Sequence, residues 1–220
     1  MSRIDVVSDA ICPWCWIGKR HLEGALARLA DEGERFAVHW RPFQLNPDMP
    51  PEGVERAAYR AAKFGSTERS RELDAQVAAA GAAAGLEFRF DRQRRTPNTV
   101  AAHRLIRHAG AVGGPARQDA VVEALFRAYF QEGRDIGDPA VLAEAAAEAG
   151  LADGAAFLAS DEGAAEVREE DAGFRRLGIS GVPTFALAGH VLFSGAVPAD
   201  RMADAFRQAL AILRERRGPQ

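Results

Sequence analysis

The chain has 220 residues, of which 47% are hydrophobic, enough apolar surface for one large domain or for one domain carrying a big insertion. Its formal net charge is -3, and with no basic excess and no acidic tail it does not read as a nucleic-acid binder. Its longest apolar runs are too short to span a bilayer, and an acid interrupts the apolar part of Met1-Ser2-Arg3-Ile4-Asp5-Val6-Val7 with no cleavage site after it, so the expected setting is the cytoplasm, without a membrane partner.

Ile4 to Val7 is rich in β-branched residues and predicts a strand. Leu22, Ala25, Leu26 and Leu29 then recur at i, i+3, i+4 and i+7, so a helix is expected from Pro13 to Ala30. Pro13 suits the first helical turn, where its missing N–H costs nothing. Phe36 to Phe43 alternates and predicts a second strand, which makes the opening a parallel βαβ unit. Gln44 to Gly53 is a loop with three prolines.

From Glu52 to Leu177 the composition becomes Ala-rich and helical in pattern. Leu73, Val77 and Ala80 mark a helix closed by Gly81 or Gly85, and Phe88 and Phe90 sit in an extended linker. Thr96-Pro97 is expected to start another helix with the threonine as N-cap, and Pro115 to begin the next. Asp138-Pro139 caps a helix ending at Gly150, and Ser160 can cap one that runs through Phe174 to Gly178. Strand signals return at Pro183 to Leu187, and Val191 to Ser194 pairs back across Gly189 as a hairpin. A last helix carries Met202, Ala205, Phe206, Ala209 and Leu213 on one stripe. The expected order is β-α-β, a helical block, then β-β-α. The two β-containing halves, residues 1–51 and 179–220, would form one α/β domain, with an all-helical insertion at 52–178 that could cover the site.

Both cysteines lie in Ser8-Asp9-Ala10-Ile11-Cys12-Pro13-Trp14-Cys15-Trp16-Ile17-Gly18-Lys19, between the first strand and the first helix. A helix starting at Pro13 puts Cys12 at its N-terminus, where unpaired N–H groups and the helix dipole favour a thiolate. Cys12 is then the attacking sulfur, and Cys15, one turn further in, can resolve a mixed disulfide. A disulfide needs Cα atoms roughly 4.4–6.8 Å apart, which i and i+3 of a helical turn satisfy. A reducing compartment disfavours a structural staple. A zinc site needs about four ligands, and with no second Cys pair only a tertiary accident involving His21 or His39 would complete one, so no metal is expected.

Pro183 in Gly181-Val182-Pro183-Thr184 begins a strand. A cis Val182–Pro183 bond would turn the backbone toward the cysteine loop and expose the polar groups of Val182 to an extended substrate peptide. A trans proline that merely starts a strand is the plainer reading.

Taken together, the strand, Cys-Pro-Trp-Cys, helix, strand, helical insertion, Gly-Val-Pro-Thr, hairpin and helix resemble a thioredoxin-fold protein of the DsbA family. The Ser8–Lys19 stretch, Pro42-Phe43-Gln44-Leu45-Asn46-Pro47, and Pro97-Asn98-Thr99 through Ala102-His103-Arg104-Leu105 resemble its cytoplasmic FrnE-like branch. The resemblance covers nearly the whole chain. It implies a disulfide oxidoreductase or isomerase with Cys12 as nucleophile, Cys15 as resolving cysteine and Pro183 as a cis-proline. It implies protein thiols or disulfides as substrates, no required cofactor, and glutathione as a candidate redox partner. The branch is also similar to 2-hydroxychromene-2-carboxylate isomerases and kappa-class glutathione transferases, which have serine where Cys12 stands. A second cysteine departs from that pattern and favours dithiol chemistry.

Around this pair, Pro13 and Trp14 bear on redox poise and on substrate contact, with a half-packed Trp14 as the alternative. A Trp cannot supply the charge with which a histidine in the gap stabilises a thiolate, so the expected potential lies in the glutaredoxin range, roughly -200 to -230 mV. Asn98 and His103 could line the cleft opposite Cys12, although a satisfied core histidine is the plainer account of His103. Asp9 reads as a turn or cap residue that could also shuttle a proton to Cys15, Lys19 as a solvated helix residue, and Arg89, Arg92, Arg94 and Arg95 as a solvated basic loop. Two other readings remain: a glutathione-dependent isomerase or transferase acting on a small aromatic compound, and a redox-gated chaperone or binding module.

Overall fold

A computed structural model describes residues 2–217. Strand β1 (Ser2–Ser8) leads through the cysteine loop into α1 (Pro13–Asp31), and the chain returns as β2 (Phe36–Pro42). The two strands pair in parallel, with Val6 opposite Trp40, as the β-α-β reading expects. On α1, Leu22, Ala25 and Leu29 are buried, the face that the periodicity marks.

The next segment is mostly but not wholly helical. A short strand, β3 (Val54–Glu55), precedes α2 (Arg56–Phe64) and α3 (Thr67–Ala83), and pairs antiparallel with β4 (Arg95–Thr96). This ladder corrects the all-helical expectation. Two residues per strand are too few for alternation to register. Gly53 permits the approach: its φ is +67°, and a Cβ there would sit 2.7 Å from the Thr96 carbonyl oxygen. Thr96 therefore belongs to a strand rather than capping a helix. The helix α4 (Val100–Phe130) starts three residues past Pro97, where the Asn98 side-chain oxygen accepts the Val100 N–H at 2.9 Å. It breaks at Gly114, whose φ is 71°, immediately before the Pro115 that predicts a new helix.

Asp138 caps α5 (Pro139–Glu148) by accepting the Ala140 N–H at 2.8 Å, as expected. Ser160 does not cap the following long helix. Its hydroxyl donates to the Phe157 carbonyl at 2.8 Å and closes the short α6 (Gly154–Leu158), while α7 (Ala164–Arg176) begins after Gly163. Strands β5 (Thr184–Leu187) and β6 (His190–Ser194) form the hairpin, and α8 (Ala199–Arg217) ends the described chain. Strand β5 runs antiparallel to β1, so the sheet order is β2-β1-β5-β6 and the two halves of the chain meet in one sheet.

Trp16 joins the sheet side to the helical segment. It is buried, stacks on Phe126 and Phe130 at centroid distances of 6.1 and 6.0 Å, and meets Phe88 edge-on at 5.4 Å. Its indole N–H donates to Glu123 at 3.2 Å. Lys19, one turn on, is not solvated as the sequence suggests. Its side chain is buried against Asp119 and Glu123 of α4, at 3.1 and 3.2 Å, and pairs with Glu23. An isolated buried ammonium is costly, and two of the three acids that compensate it, Asp119 and Glu123, come from a helix a hundred residues downstream, beyond the reach of a local pattern.

Candidate active site

Cys12 occupies the N-cap of α1, with φ -93° and ψ 110°, and Pro13 follows in the first turn. The Cys12 N–H donates to the Asp9 carbonyl, and the Cys12 carbonyl accepts the Cys15 N–H, both at 3.0 Å. These bonds fold Asp9–Cys15 into a compact turn that fixes both sulfurs. Both cysteines are free thiols and buried, Cys15 completely.

Across the fold, the Cys12 thiol donates to the Val182 carbonyl at 3.6 Å. The Val182–Pro183 peptide is cis. Helix α1 approaches Pro183 closely because residue 18 is glycine: a Cβ on Gly18 would lie 2.9 Å from the Pro183 Cγ. The cysteine loop and the Gly181–Pro183 turn, 170 residues apart, thus meet at a single sulfur.

Burial pushes the Cys15 thiol well above its ordinary value, and the hydrogen bond and charge of Cys12 push it the same way. The Ser8 hydroxyl and the Asp9 backbone act in the opposite direction. The net direction keeps the proton on Cys15 in this dithiol state.

Asp9 is fully buried, its carboxylate accepting the Leu45 N–H at 2.7 Å and lying 3.2 Å from His103 Nε2. The same nitrogen is 3.1 Å from the Phe43 carbonyl. Both partners accept, so Nε2 carries the hydrogen. His103 is therefore a buried anchor behind the cysteine loop, lining a second cavity of about 250 Å³ with Ser8 and Ala10. It does not line the Cys12 cleft. Asn98 lies outside both: its amide N–H donates to the Met49 carbonyl at 2.6 Å, and its oxygen holds the start of α4. In the Arg89–Arg95 cluster, Arg89 pairs with Asp91 at 3.0 Å and Arg95 with Asp135 at 3.3 Å, while Arg92 donates to the Gln131 carbonyl at 3.2 Å.

Cys12, Pro13, Trp14 and Val182 line one cleft of about 350 Å³. Trp14 is 42% exposed at this cleft, so it is not packed away against the helices. The opposite wall includes Arg56, Tyr59, Arg60 and Lys63 of α2. Sequence reasoning missed these four. Their i, i+3, i+4, i+7 spacing marks one helix face, but an all-polar face carries no sign of what it looks toward.

Two thiols at a helix start, set against an X-Pro turn on a four-stranded mixed sheet, define a thioredoxin-type oxidoreductase fold. Residues 3–207 match the DSBA-like thioredoxin domain, and the chain belongs to that family. It is similar to the crystal structure of probable DsbA oxidoreductase SCO1869 from Streptomyces coelicolor, with a TM-score of 0.85 and 33% identity over 96% of this chain and 91% of that one. It is 26% identical over 212 residues to the uncharacterized protein YwbO of Bacillus subtilis, covering 94% of this chain and 95% of YwbO. The cytosolic disulfide reductase DsbM from Pseudomonas aeruginosa, whose structure is also known with GSH, shares the fold at a TM-score of 0.65 and 23% identity, over 96% of this chain and 99% of DsbM. Among the described residues no helix is long and apolar enough to cross a membrane.

Proposed function

We propose that this protein is a cytoplasmic thiol–disulfide oxidoreductase or isomerase acting on protein thiols and disulfides, with Cys12 as nucleophile and Cys15 as resolving thiol. The observation that carries the reading is the Cys12 sulfur, held at the start of α1 against the Val182 carbonyl with the high-pKa Cys15 one turn behind it. In the reducing direction, the Cys12 thiolate attacks a substrate disulfide, a Cys12–substrate bond forms, and one substrate thiolate leaves. Cys15 then loses its proton and attacks Cys12, forming the Cys12–Cys15 disulfide and releasing the second substrate thiolate. Two electrons pass from the dithiol to the substrate, and the reverse sequence oxidises a reduced substrate. Glutathione is the candidate that resets the pair.

In this reading the backbone of Val182, beside the Cys12 sulfur, pairs with an extended substrate segment in exchange for its contact with the thiol, and exposed Trp14 offers an apolar contact. Asp9 and His103 hold the loop rather than the substrate. The test is insulin reduction and disulfide reshuffling: Cys12→Ser is expected to remove both, whereas activity retained in Cys12→Ser would contradict the reading. The size of the cleft, within the range of small-molecule sites, favours a second reading, glutathione-dependent isomerisation or transfer on a small aromatic compound. That reading requires turnover that survives Cys15→Ala.

A further inference from the structure

Helix α2 has no core to explain its position. None of its residues is buried, yet it forms a wall of the Cys12 cleft. Most helices in a folded protein are held by burying an apolar face, whereas α2 turns Arg56, Arg60 and Lys63 toward the cleft beside half-buried Tyr59 and Phe64. Arg56 and Arg60, each largely shielded from solvent, share one carboxylate, Asp74, at 2.9 and 2.6 Å. Among the described residues, the polar contacts of Lys63, on the same face, are neutral oxygens, those of Asn46 at 3.2 Å and Tyr59 at 2.9 Å. Three cations therefore face one anion in a cleft that opens on a reactive sulfur, in a chain whose net charge is -3.

Rings already cover part of each cation: Arg56 over Phe90 at 5.3 Å, Arg60 over Phe64 at 4.8 Å and Lys63 over Tyr59 at 5.3 Å. The stacking fixes the charged groups in place but does not neutralise them. Burial, with the charge of Arg56 acting in the same direction, holds the Arg60 guanidinium below its usual range despite Asp74. The excess positive charge is thus real, partly desolvated and unmatched.

Resting on the oxidoreductase reading above, we infer that the preferred substrates of this site carry a carboxylate within a few bonds of the disulfide, which docks between Arg60 and Lys63 while Cys12 attacks the sulfur. The chemistry is that of the ordinary exchange. Cys12 bonds to one substrate sulfur, the substrate S–S bond breaks, a carboxylate-bearing thiolate leaves, and Cys15 expels the other half as a second thiolate. The two electrons come from the protein dithiol. The carboxylate can belong to a small acidic disulfide or to an acidic residue beside a cystine in a peptide.

The test is single-turnover reaction of the reduced protein with dithiodipropionate (two carboxylates), bis(hydroxyethyl) disulfide (neutral) and cystamine (two ammoniums), read by acid quench and mass spectrometry. A Glu-flanked cystine peptide and its Gln-flanked twin form the second arm. Comparing each substrate between wild type and variant cancels intrinsic differences in disulfide reactivity. Lys63→Gln is expected to lower the dianion-to-neutral rate ratio by about fivefold, the size of one partly solvated charge contact, and Lys63→Glu to lower it further while raising the cystamine ratio. Lys63 is exposed and has neutral partners, so both variants should fold. A charge-dependent ratio confined to the small disulfides assigns the site to small acids, and one confined to the peptides assigns it to acidic segments. Ratios unchanged in both variants would overturn the inference and leave the dithiol chemistry standing. No exchange with any of the disulfides would overturn both.

Discussion

Mixed with a disulfide substrate, Cys15→Ser is expected to stop after the first half of the reaction, with one substrate fragment bonded to Cys12 on each chain. The expectation follows from the unequal roles of the two sulfurs. Cys12 sits at the helix start and lines the cleft. Cys15 is sealed inside, where burial raises its pKa. Serine in its place preserves the volume and the contacts of the turn but cannot attack a sulfur at a useful rate. Multiple turnover should fall to the uncatalysed level while the first attack persists. Intact-mass spectrometry after mixing with insulin, whose disulfides are intact, should show a stable adduct on the variant and only a transient one on the wild type. A variant that turns over without accumulating an adduct would show that an external thiol, not Cys15, resolves the intermediate.

The largest stability effect is expected at Trp16. Truncation to alanine removes an aromatic core residue packed on Phe88, Phe126 and Phe130 and leaves the Glu123 carboxylate without its indole donor. Large-to-small changes of this kind cost about 3–5 kcal/mol, to be read as a shift of the urea midpoint at an unchanged slope. Trp16→Phe keeps the ring and should lose less than half as much. Because Trp16 follows Cys15 in the first turn of α1 and anchors that turn on the helical segment, the alanine variant should also loosen the contact between Cys12 and Val182 before the whole fold is lost. A loss below about 1 kcal/mol would show that Phe126 and Phe130 close the gap.

The parts of this architecture that could be read from the residues are those with a local physical signature. Alternation marks β2, the Gly189 turn marks the hairpin, Pro13 and Asp138 mark helix starts, and Pro115 marks the break at Gly114. The cysteine spacing placed both sulfurs in one turn, and Pro183 marked the turn whose Val182 carbonyl meets the Cys12 sulfur. What escaped depends on partners far along the chain. Lys19 looks like any surface lysine until α4 brings Asp119 and Glu123 against it. His103 shows helical periodicity but gives no hint that Asp9 and Phe43 will take its ring nitrogen. The β3–β4 ladder is too short to show a period, and Thr96 resembles a cap because nothing local shows that its backbone pairs with Val54. On α2, the spacing of Arg56, Arg60 and Lys63 is plain, but its meaning comes from the cleft that the helix faces.

The most direct test of the account is a redox titration of the Cys12–Cys15 pair in glutathione buffers, followed by the mass shift on alkylating free thiols. A single two-electron transition is expected at roughly -200 to -230 mV, because Trp14 brings no positive charge to the Cys12 sulfur. A pair that stays reduced at every buffer ratio would contradict cycling dithiol chemistry, and a midpoint near about -120 mV would contradict the role given to the residues between the cysteines.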